Sequence, residues 1–220
     1  MSFKENNYQI IRNVVPSDVV NFCFDYFMIK REAVDFMYNH KMIPESPFNF
    51  FGYRDDPQAP GVYSHYSDLV METLLLKVMP VMQKETGLNL VPTYSYARIY
   101  EKGSTLEKHK DRPSCEISTT LNLGGDKWPI YIEPNKDIGY LNKDQSYTKG
   151  NTQGVEVDLN PGDMLVYAGH DLEHWRNTFE GDICAQVFLH YNHVDGPFAE
   201  NNKFDGRPLL GLPHAKYERG

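Results

Sequence analysis

Two short stretches of the sequence carry residue types that could bind a metal ion. Residues 107–113 contain His109 and Asp111, and residues 169–176 contain two further histidines. Side chains two residues apart on an extended strand point to the same face, so His109 and Asp111 could ligate one ion together. Two imidazoles and one carboxylate on one face of an octahedral ion leave three positions open, and this set suits Fe(II). The third ligand must then come from another strand folded alongside.

The sequence around these stretches predicts short strands separated by turns. The strands are expected where β-branched and aromatic residues run between Gly, Pro and Asn clusters: 92–100, 115–123, 128–133, 155–159, 164–167 and 184–191. Turns are expected at residues 102–104, 124–125 and 161–163. About seven or eight short strands with regular turn signals predict a barrel or a sandwich.

Two amphipathic helices are predicted before these strands. Apolar residues recur at helical spacing from Val19 to about Tyr38, directly after a helix-start signal. A second helix is predicted over residues 65–85, where Pro80 should kink or split it and Gly87 should end it. Residues 8–15 alternate loosely and could form an edge strand.

Two loops are candidates for the border of a binding cleft. Residues 134–153 form a polar insertion, read as a hairpin or mobile segment, and residues 48–53 hold several aromatic side chains. Loops on a rigid scaffold commonly carry contacts to bound molecules. Residues 195–220 contain Pro and Gly at intervals and are expected to form an extended tail.

Several of these motifs together resemble a known family. Tyr100 and Gly103 precede the His109-x-Asp111 pair, and they are followed by Leu121-Asn122, Gly124-Gly125, Pro161-Gly162-Asp163 and then His174. In order and spacing this pattern is similar to the Fe(II)- and 2-oxoglutarate-dependent oxygenases, most closely their prolyl-4-hydroxylase-like branch. The resemblance covers residues 92–194.

The resemblance implies a mainly β fold with N-terminal helices (α+β), in which helices buttress one sheet of a double-stranded β-helix, or jelly roll. We therefore expect a single domain over residues 1–220. Within it, residues 1–88 would form a helical support region, 89–194 the jelly-roll catalytic core and 195–220 the tail. No catalytic residue is expected beyond the metal ligands.

The resemblance also implies an iron site made by His109, Asp111 and a distal histidine. In the family this histidine follows the Pro-Gly-Asp turn by about ten residues, which favours His174 over His170. His170 is then expected to be a turn residue or a partner of a ligand. His190 and His193, at the end of a strand, are expected to be structural.

The co-substrate implied by the resemblance, 2-oxoglutarate, needs a cation for its far carboxylate. The family usually places Arg or Lys nine or ten residues past the distal histidine, but Ile183 and Cys184 stand there. Arg176 shares the strand face of His174 and is favoured instead, with Arg98 as the second candidate. Further contacts to the co-substrate are expected from Tyr100 and Thr120.

Charge and composition narrow the possible partners. The chain has 220 residues, a net charge of −8 and a pI near 5.5, which argues against broad binding to nucleic acid or to anionic membranes. No apolar run approaches a membrane span, and the N-terminus lacks the apolar region of a secretory signal. The three widely spaced cysteines indicate reduced thiols, so a cytoplasmic location is expected.

The sequence therefore favours an enzyme that uses Fe(II), 2-oxoglutarate and O₂ to hydroxylate an unidentified small molecule or peptide, releasing succinate and CO₂. One alternative is a non-catalytic, cupin-like metal-binding protein, which the missing basic residue at positions 183 and 184 would support. A nucleic-acid dealkylase of the same fold is a further alternative, and the acidic composition disfavours it.

Overall fold

The structure, a computed structural model, describes residues 2–43, 50–144 and 146–213. The strands are β1 (Tyr8–Ile11), β2 (Tyr63–Tyr66), β3 (Leu90–Glu101), β4 (Leu106–His109), β5 (Ile117–Gly125), β6 (Ile130–Ile132), β7 (Tyr140–Leu141), β8 (Tyr147–Thr148), β9 (Val155–Val157), β10 (Met164–Tyr167), β11 (His174–Arg176) and β12 (Ile183–His193). The helices are α1 (Phe3–Asn6), α2 (Ser17–Asn39), α3 (Leu69–Thr86) and α4 (Ala199–Asn202). This confirms the predicted class, mainly β with N-terminal helices.

Two antiparallel sheets form a jelly roll. The major sheet has the strand order β1-β10-β5-β12-β3-β2, and the minor sheet has the order β4-β11-β6-β9. The short strands β7 and β8 pair only with each other in the described residues and form a hairpin within residues 134–153. Two strands of the major sheet, β1 and β2, come from the first 88 residues of the chain.

The two faces of the major sheet differ because side chains alternate along each strand. Ala97, Leu121 and Val187 are neighbours in register, and they belong to the hydrophobic core that also contains Leu75 and Val78 of α3. The alternate positions on the same strands carry mostly polar and aromatic side chains and face the space between the sheets. The alternation of residue types thus gives the major sheet an apolar face that packs under the helices and a more polar face next to the predicted site.

The second helix begins later than predicted. Residues 63–66 form strand β2, which pairs with β3, and α3 begins at Leu69. Asp68 is the actual cap, because its carboxylate accepts hydrogen bonds from the backbone N–H groups of Val70 (2.9 Å) and Met71 (3.1 Å). Pro80 lies inside one continuous helix and does not split it, and Gly87 ends the helix in the left-handed conformation as predicted.

The segment after β12 is packed on the body of the protein. It contains α4 and a 3₁₀ turn at Lys203–Gly206. Asp205 accepts two hydrogen bonds from Arg112 (2.6 and 2.7 Å) and one from Tyr66 (2.6 Å), and Arg207 pairs with the buried Glu72 (2.8 Å). The part of the predicted tail after residue 213 lies outside the described residues.

Among the described residues, no helix is both long enough and apolar enough to cross a membrane. Cys23, Cys115 and Cys184 are all buried and form no disulfide.

Candidate metal centre

The structure brings together His109, Asp111 and His174. His109 and His174 are register partners on the antiparallel strands β4 and β11, and Asp111 follows β4 by two residues. Oδ1 of Asp111 lies 3.5 Å from Nε2 of His109 and 3.6 Å from Nε2 of His174. These three side chains form a group whose ligand atoms all lie within 4.8 Å of one another, a spacing suited to one ion.

The backbone fixes which nitrogen of each imidazole faces the site. Nδ1 of His109 lies 2.8 Å from the carbonyl oxygen of Glu107, and Nδ1 of His174 lies 2.9 Å from that of Leu172. A carbonyl can only accept, so Nδ1–H must be the donor in both rings. The Nε2 lone pairs then point toward Asp111, as metal-binding histidines require.

The charge states of the group also suit a cation. Burial, together with the neighbouring His109, lowers the pKa of His174 to about 4. Burial raises the pKa of Asp111, but His174 and His109 outweigh burial and hold that pKa well below its usual range. Near neutral pH the site therefore offers a neutral imidazole at position 174 and an ionised carboxylate.

The second histidine of the distal stretch, His170, lies outside this group. Its Nδ1 is 3.0 Å from the backbone oxygen of Asp111, and its ring packs edge-on against Phe198 with centroids 5.1 Å apart. His193 is partly exposed near Asp195, with 3.8 Å between Nε2 and Oδ2. The structure therefore places His170 beside the backbone of a candidate ligand.

His190 has a closer relation to the site than the sequence indicated. It is buried on the inner face of β12, where burial lowers its pKa to about 4, and its Nδ1 lies 2.8 Å from Oγ of Ser118. With Asp111 and Cys115 it forms a second group of possible ligand atoms within 4.8 Å. Its position depends on the pairing of β12 with β5, which the local sequence does not reveal.

A cavity of about 680 Å³ opens beside the three candidate ligands. Its walls also include residues from the loop before β2, from the inner face of the major sheet, and from β4 and the segment just after it. These residues are Tyr53, Asp55, Asp56, Pro57, Gln58, Tyr66, Tyr94, Tyr96, Arg98, Leu106, Arg112, Tyr167, Phe188 and His190. Of the aromatic residues predicted to border a substrate entrance, Tyr53 lines this cavity, whereas Phe50 and Phe51 are exposed and do not line it. Phe48 lies outside the described residues.

The prediction that residues 134–153 border this cavity is wrong for the described part of that insertion, which does not line it. The insertion docks instead on the outer side of the minor sheet. Buried Glu173 accepts hydrogen bonds from the backbone N–H of Gly150 (2.8 Å) and from the hydroxyl of Tyr147 (3.1 Å). Lys108 donates to the carbonyl oxygens of Gly150 (2.9 Å) and Thr152 (2.8 Å).

Arg176 is a buried cation without a matching anion. Its side chain is among the most buried in the protein, and it forms no salt bridge with any carboxylate in residues 2–43, 50–144 and 146–213. It donates to the carbonyl oxygen of Trp128 and to Oγ1 of Thr120 (3.4 Å), while its Nε has no partner within the described structure. Burial lowers its pKa. An unpaired buried charge is costly, so this guanidinium is suited to an anionic ligand.

Arg98, the second candidate for the co-substrate, is already paired. It lines the cavity and donates to Asp56, to Gln58 (2.8 Å) and to the hydroxyl of Tyr100 (3.2 Å). Thr120 lies between Arg176 and Gln186, and its hydroxyl donates a hydrogen bond to Oε1 of Gln186 at 3.2 Å. Tyr100, Thr120 and Arg176 are not on the cavity wall, but Leu106, the register partner of Arg176, is.

Comparisons with known proteins identify the fold. No family model matches the chain, and a search of curated protein sequences finds no match. Solved structures do match it. A Pseudomonas putida prolyl-4-hydroxylase is 13% identical, with 87% of this chain and 95% of that chain covered and a TM-score of 0.56.

Two further structures match over most of their length. HygX from Streptomyces hygroscopicus, solved with nickel and 2-oxoglutarate bound, is 13% identical with a TM-score of 0.57, covering 89% of this chain and 86% of that one. EctD from S. alaskensis is 15% identical with a TM-score of 0.61, covering 96% of this chain and 81% of that one. The chain thus shares the fold of these three solved structures, at 13–15% sequence identity.

Proposed function

We propose that this chain is an Fe(II)- and 2-oxoglutarate-dependent dioxygenase that hydroxylates an unidentified small molecule or peptide. The observation that carries the proposal is the convergence of two imidazole Nε2 atoms on Oδ1 of Asp111 beside a cavity. The shared fold supports it, because HygX binds 2-oxoglutarate and a form of EctD holds iron. The free, buried cysteines support a reducing, cytoplasmic location.

His109, Asp111 and His174 would hold the iron on one face and leave three positions for 2-oxoglutarate and O₂. Iron bound there would supply the oxidising chemistry, with succinate and CO₂ as products of the co-substrate. The Nδ1 contacts to the carbonyl oxygens of Glu107 and Leu172 hold both imidazoles in the tautomer that presents Nε2 to the site.

We assign the far carboxylate of 2-oxoglutarate to Arg176. A carboxylate there would pair a buried guanidinium that has no anionic partner among the described residues, whereas Arg98 already pairs with Asp56. The hydroxyl of Thr120 lies beside Arg176 and can contact the same carboxylate. Tyr100, which accepts a hydrogen bond from Arg98, is the less direct candidate. Leu106 lines the cavity and is the register partner of Arg176, so the cavity reaches the pair of strands that carries Arg176.

The hydroxylated substrate would occupy the part of the cavity between the loop before β2 and the major sheet. Tyr53, Tyr96 and Phe188 form its aromatic walls, and the Arg98–Asp56 pair supplies polar contacts. Among the structural neighbours, HygX has been solved with hygromycin B bound together with nickel and 2-oxoglutarate. In HygX the same fold thus binds a further molecule together with its metal and 2-oxoglutarate.

One observation favours a second candidate, a non-catalytic metal-binding protein. Ile183 and Cys184 occupy the strand positions where the family usually supplies a cation for 2-oxoglutarate. Such a protein would bind the metal and would not bind the diacid.

Anaerobic titration calorimetry of 2-oxoglutarate into the Fe(II)-loaded protein separates the two. The dioxygenase predicts one site per chain that depends on iron, followed by succinate release once O₂ and substrate are supplied. Iron binding without any binding of 2-oxoglutarate would favour the non-catalytic protein.

A further inference from the structure

The two carboxylate oxygens of Asp111 face different partners. Oδ1 points to the Nε2 atoms of His109 and His174, whereas Oδ2 lies 3.3 Å from the hydroxyl oxygen of Ser118. A carboxylate can bind a metal through one oxygen or through both. The contact to Oδ2 therefore bears on how many coordination positions Asp111 would occupy.

Ser118 is itself held by His190. The two residues are register partners on β5 and β12, and Nδ1 of His190 lies 2.8 Å from Oγ of Ser118. The serine has one proton and three neighbours that can accept it: Oδ2 of Asp111, Nδ1 of His190 and the carbonyl oxygen of Cys115 at 3.0 Å. If Nδ1–H of His190 donates to Oγ, the serine proton is free for the carboxylate, which is the stronger acceptor because it is charged.

The space around Oδ2 is closed on the remaining side by Gly169. A Cβ atom at this position would lie 2.5 Å from Oδ2 of Asp111 and 2.7 Å from both Oγ of Ser118 and the carbonyl oxygen of Cys115. Any side chain at 169 would thus collide with the carboxylate. Gly169 also accepts a hydrogen bond from the backbone N–H of Asp111 at 2.9 Å, so the backbone is fixed beside the same group.

We propose that His190 and Ser118 are positioning residues that hold Oδ2 of Asp111 away from the metal, so that Asp111 ligates through Oδ1 alone. This proposal rests on the metal site proposed above. If Asp111 binds the metal through one oxygen, three coordination positions stay open, which is enough for O₂ and for a diacid that binds through two of its oxygens. If Asp111 binds through both oxygens, only two positions stay open. The relay from His190 through Ser118 to Asp111 therefore preserves the position that the co-substrate needs.

The same residues could be taken for a second metal site, because Asp111, Cys115 and His190 lie within 4.8 Å of one another. The hydroxyl of Ser118 contacts both Asp111 and His190 in this group, and the thiol of Cys115 lies 3.0 Å from the hydroxyl of Tyr94. These atoms thus already have partners within the protein. The group supports the first site and does not form another.

Cobalt(II) is a suitable probe, because its visible absorption reports coordination number without any turnover. We expect Ser118→Ala and His190→Leu to bind one Co(II) per chain near wild-type affinity, but with a changed spectrum as Oδ2 joins the metal. Their anaerobic affinity for 2-oxoglutarate should fall about 10- to 100-fold, the factor that corresponds to losing the one hydrogen bond that holds the charged Oδ2 away from the diacid's position. Ser118→Thr and His190→Gln, which keep a hydroxyl and an N–H donor, should restore both readouts.

Thr119→Val is the matched control, because it removes from the adjacent position of β5 a buried hydroxyl that has no hydrogen-bond partner in the described part of the chain. It should keep the wild-type spectrum and diacid affinity. A wild-type spectrum and affinity in Ser118→Ala would overturn the relay alone, as would loss of cobalt from that variant in a folded state. Failure of the wild-type protein to bind cobalt would overturn the metal site and the relay together.

Discussion

His109 and His174 face each other as register partners on antiparallel strands, and their ring centroids lie 4.2 Å apart. The candidate metal centre is therefore built by the pairing of β4 with β11, and Asp111 completes it just after β4 ends. Because side chains alternate along a strand, a shift of one residue in this pairing would turn one imidazole away from the site. The geometry of the centre is a consequence of strand register.

Replacing Arg176 with Met should weaken the binding of 2-oxoglutarate without lowering the stability of the fold. Loss of one partner of a buried charge pair typically costs about 3–5 kcal/mol. We therefore expect the iron-loaded variant to bind 2-oxoglutarate about two to three orders of magnitude more weakly than the wild type does. Without the diacid, the variant should be as stable as the wild type or more stable, since an unpaired buried charge has been removed. Titration calorimetry and thermal unfolding measure the two effects.

Arg98→Met is the comparison for that experiment, because Arg98 is buried and cationic but already pairs with Asp56. Its affinity for 2-oxoglutarate should stay within about tenfold of wild type, a difference of less than about 1.4 kcal/mol. Wild-type affinity in Arg176→Met, together with a large loss in Arg98→Met, would move the carboxylate-binding role to Arg98.

Glu173→Ala should release the insertion at residues 134–153 from the minor sheet. Glu173 is fully buried, and its carboxylate accepts hydrogen bonds from Tyr147 and from the backbone of Gly150. Hydrogen bonds to a charged group contribute about 1.5–3 kcal/mol each, so their loss should open the hairpin locally. Limited proteolysis under native conditions should then cut within the insertion much faster than in the wild type.

Glu107→Ala provides the control for the insertion, since Glu107 pairs with Lys149 of the same segment but both side chains are largely exposed. Exposed ion pairs contribute little, so cleavage should proceed at nearly the wild-type rate. Equal cleavage rates for Glu173→Ala and the wild type would show that other contacts, such as those of Lys108, suffice to hold the hairpin.

Asp205→Asn should destabilise the protein in a pH-dependent way. Burial raises the pKa of Asp205, but the hydrogen bonds and charge of Arg112 outweigh burial and lower it to about 2. A shift of about two units from the usual value corresponds to about 2–3 kcal/mol at neutral pH. Because the pKa is lowered on folding, this stability is present above about pH 4 and is lost as the pH falls toward about 2.

The difference in unfolding free energy between wild type and Asp205→Asn should therefore be constant between about pH 5 and 7 and should shrink below about pH 4. Urea unfolding at several pH values measures it. Asn is a suitable replacement, because Asp205 has a positive φ of 57° and Asn tolerates this conformation. A difference that does not change with pH would mean that the Arg112 pair does not stabilise the fold.

The sequence predicts those elements whose signals are local. Strand β10 was predicted with its observed bounds, because a short apolar run follows the Pro-Gly-Asp turn. The start of α3 was missed because residues 63–66 are aromatic and polar and show no clear alternation. Their strand conformation comes from pairing with β3, which is far away in sequence.

Some residues of the candidate site likewise have local sequence signals, whereas others are recognised only in the folded structure. His109 and Asp111 are close in sequence, the family resemblance points to His174, and the structure brings these three side chains together. For His190 the local sequence predicts only a structural role, because its contact with Ser118 depends on the register between β12 and β5. The lack of an anion beside Arg176 is equally a property of the folded interior, and no local pattern could have shown it.

Metal content tests the central claim most directly. Wild type, His109→Ala, His174→Ala and His170→Ala, each purified anaerobically after Fe(II) loading, should be compared by plasma emission, with circular dichroism to verify folding. The proposed centre predicts one iron per chain in the wild type and in His170→Ala, and near-complete loss in the other two. Loss of iron from His170→Ala with retention in His174→Ala, or no iron in the wild type, would contradict it.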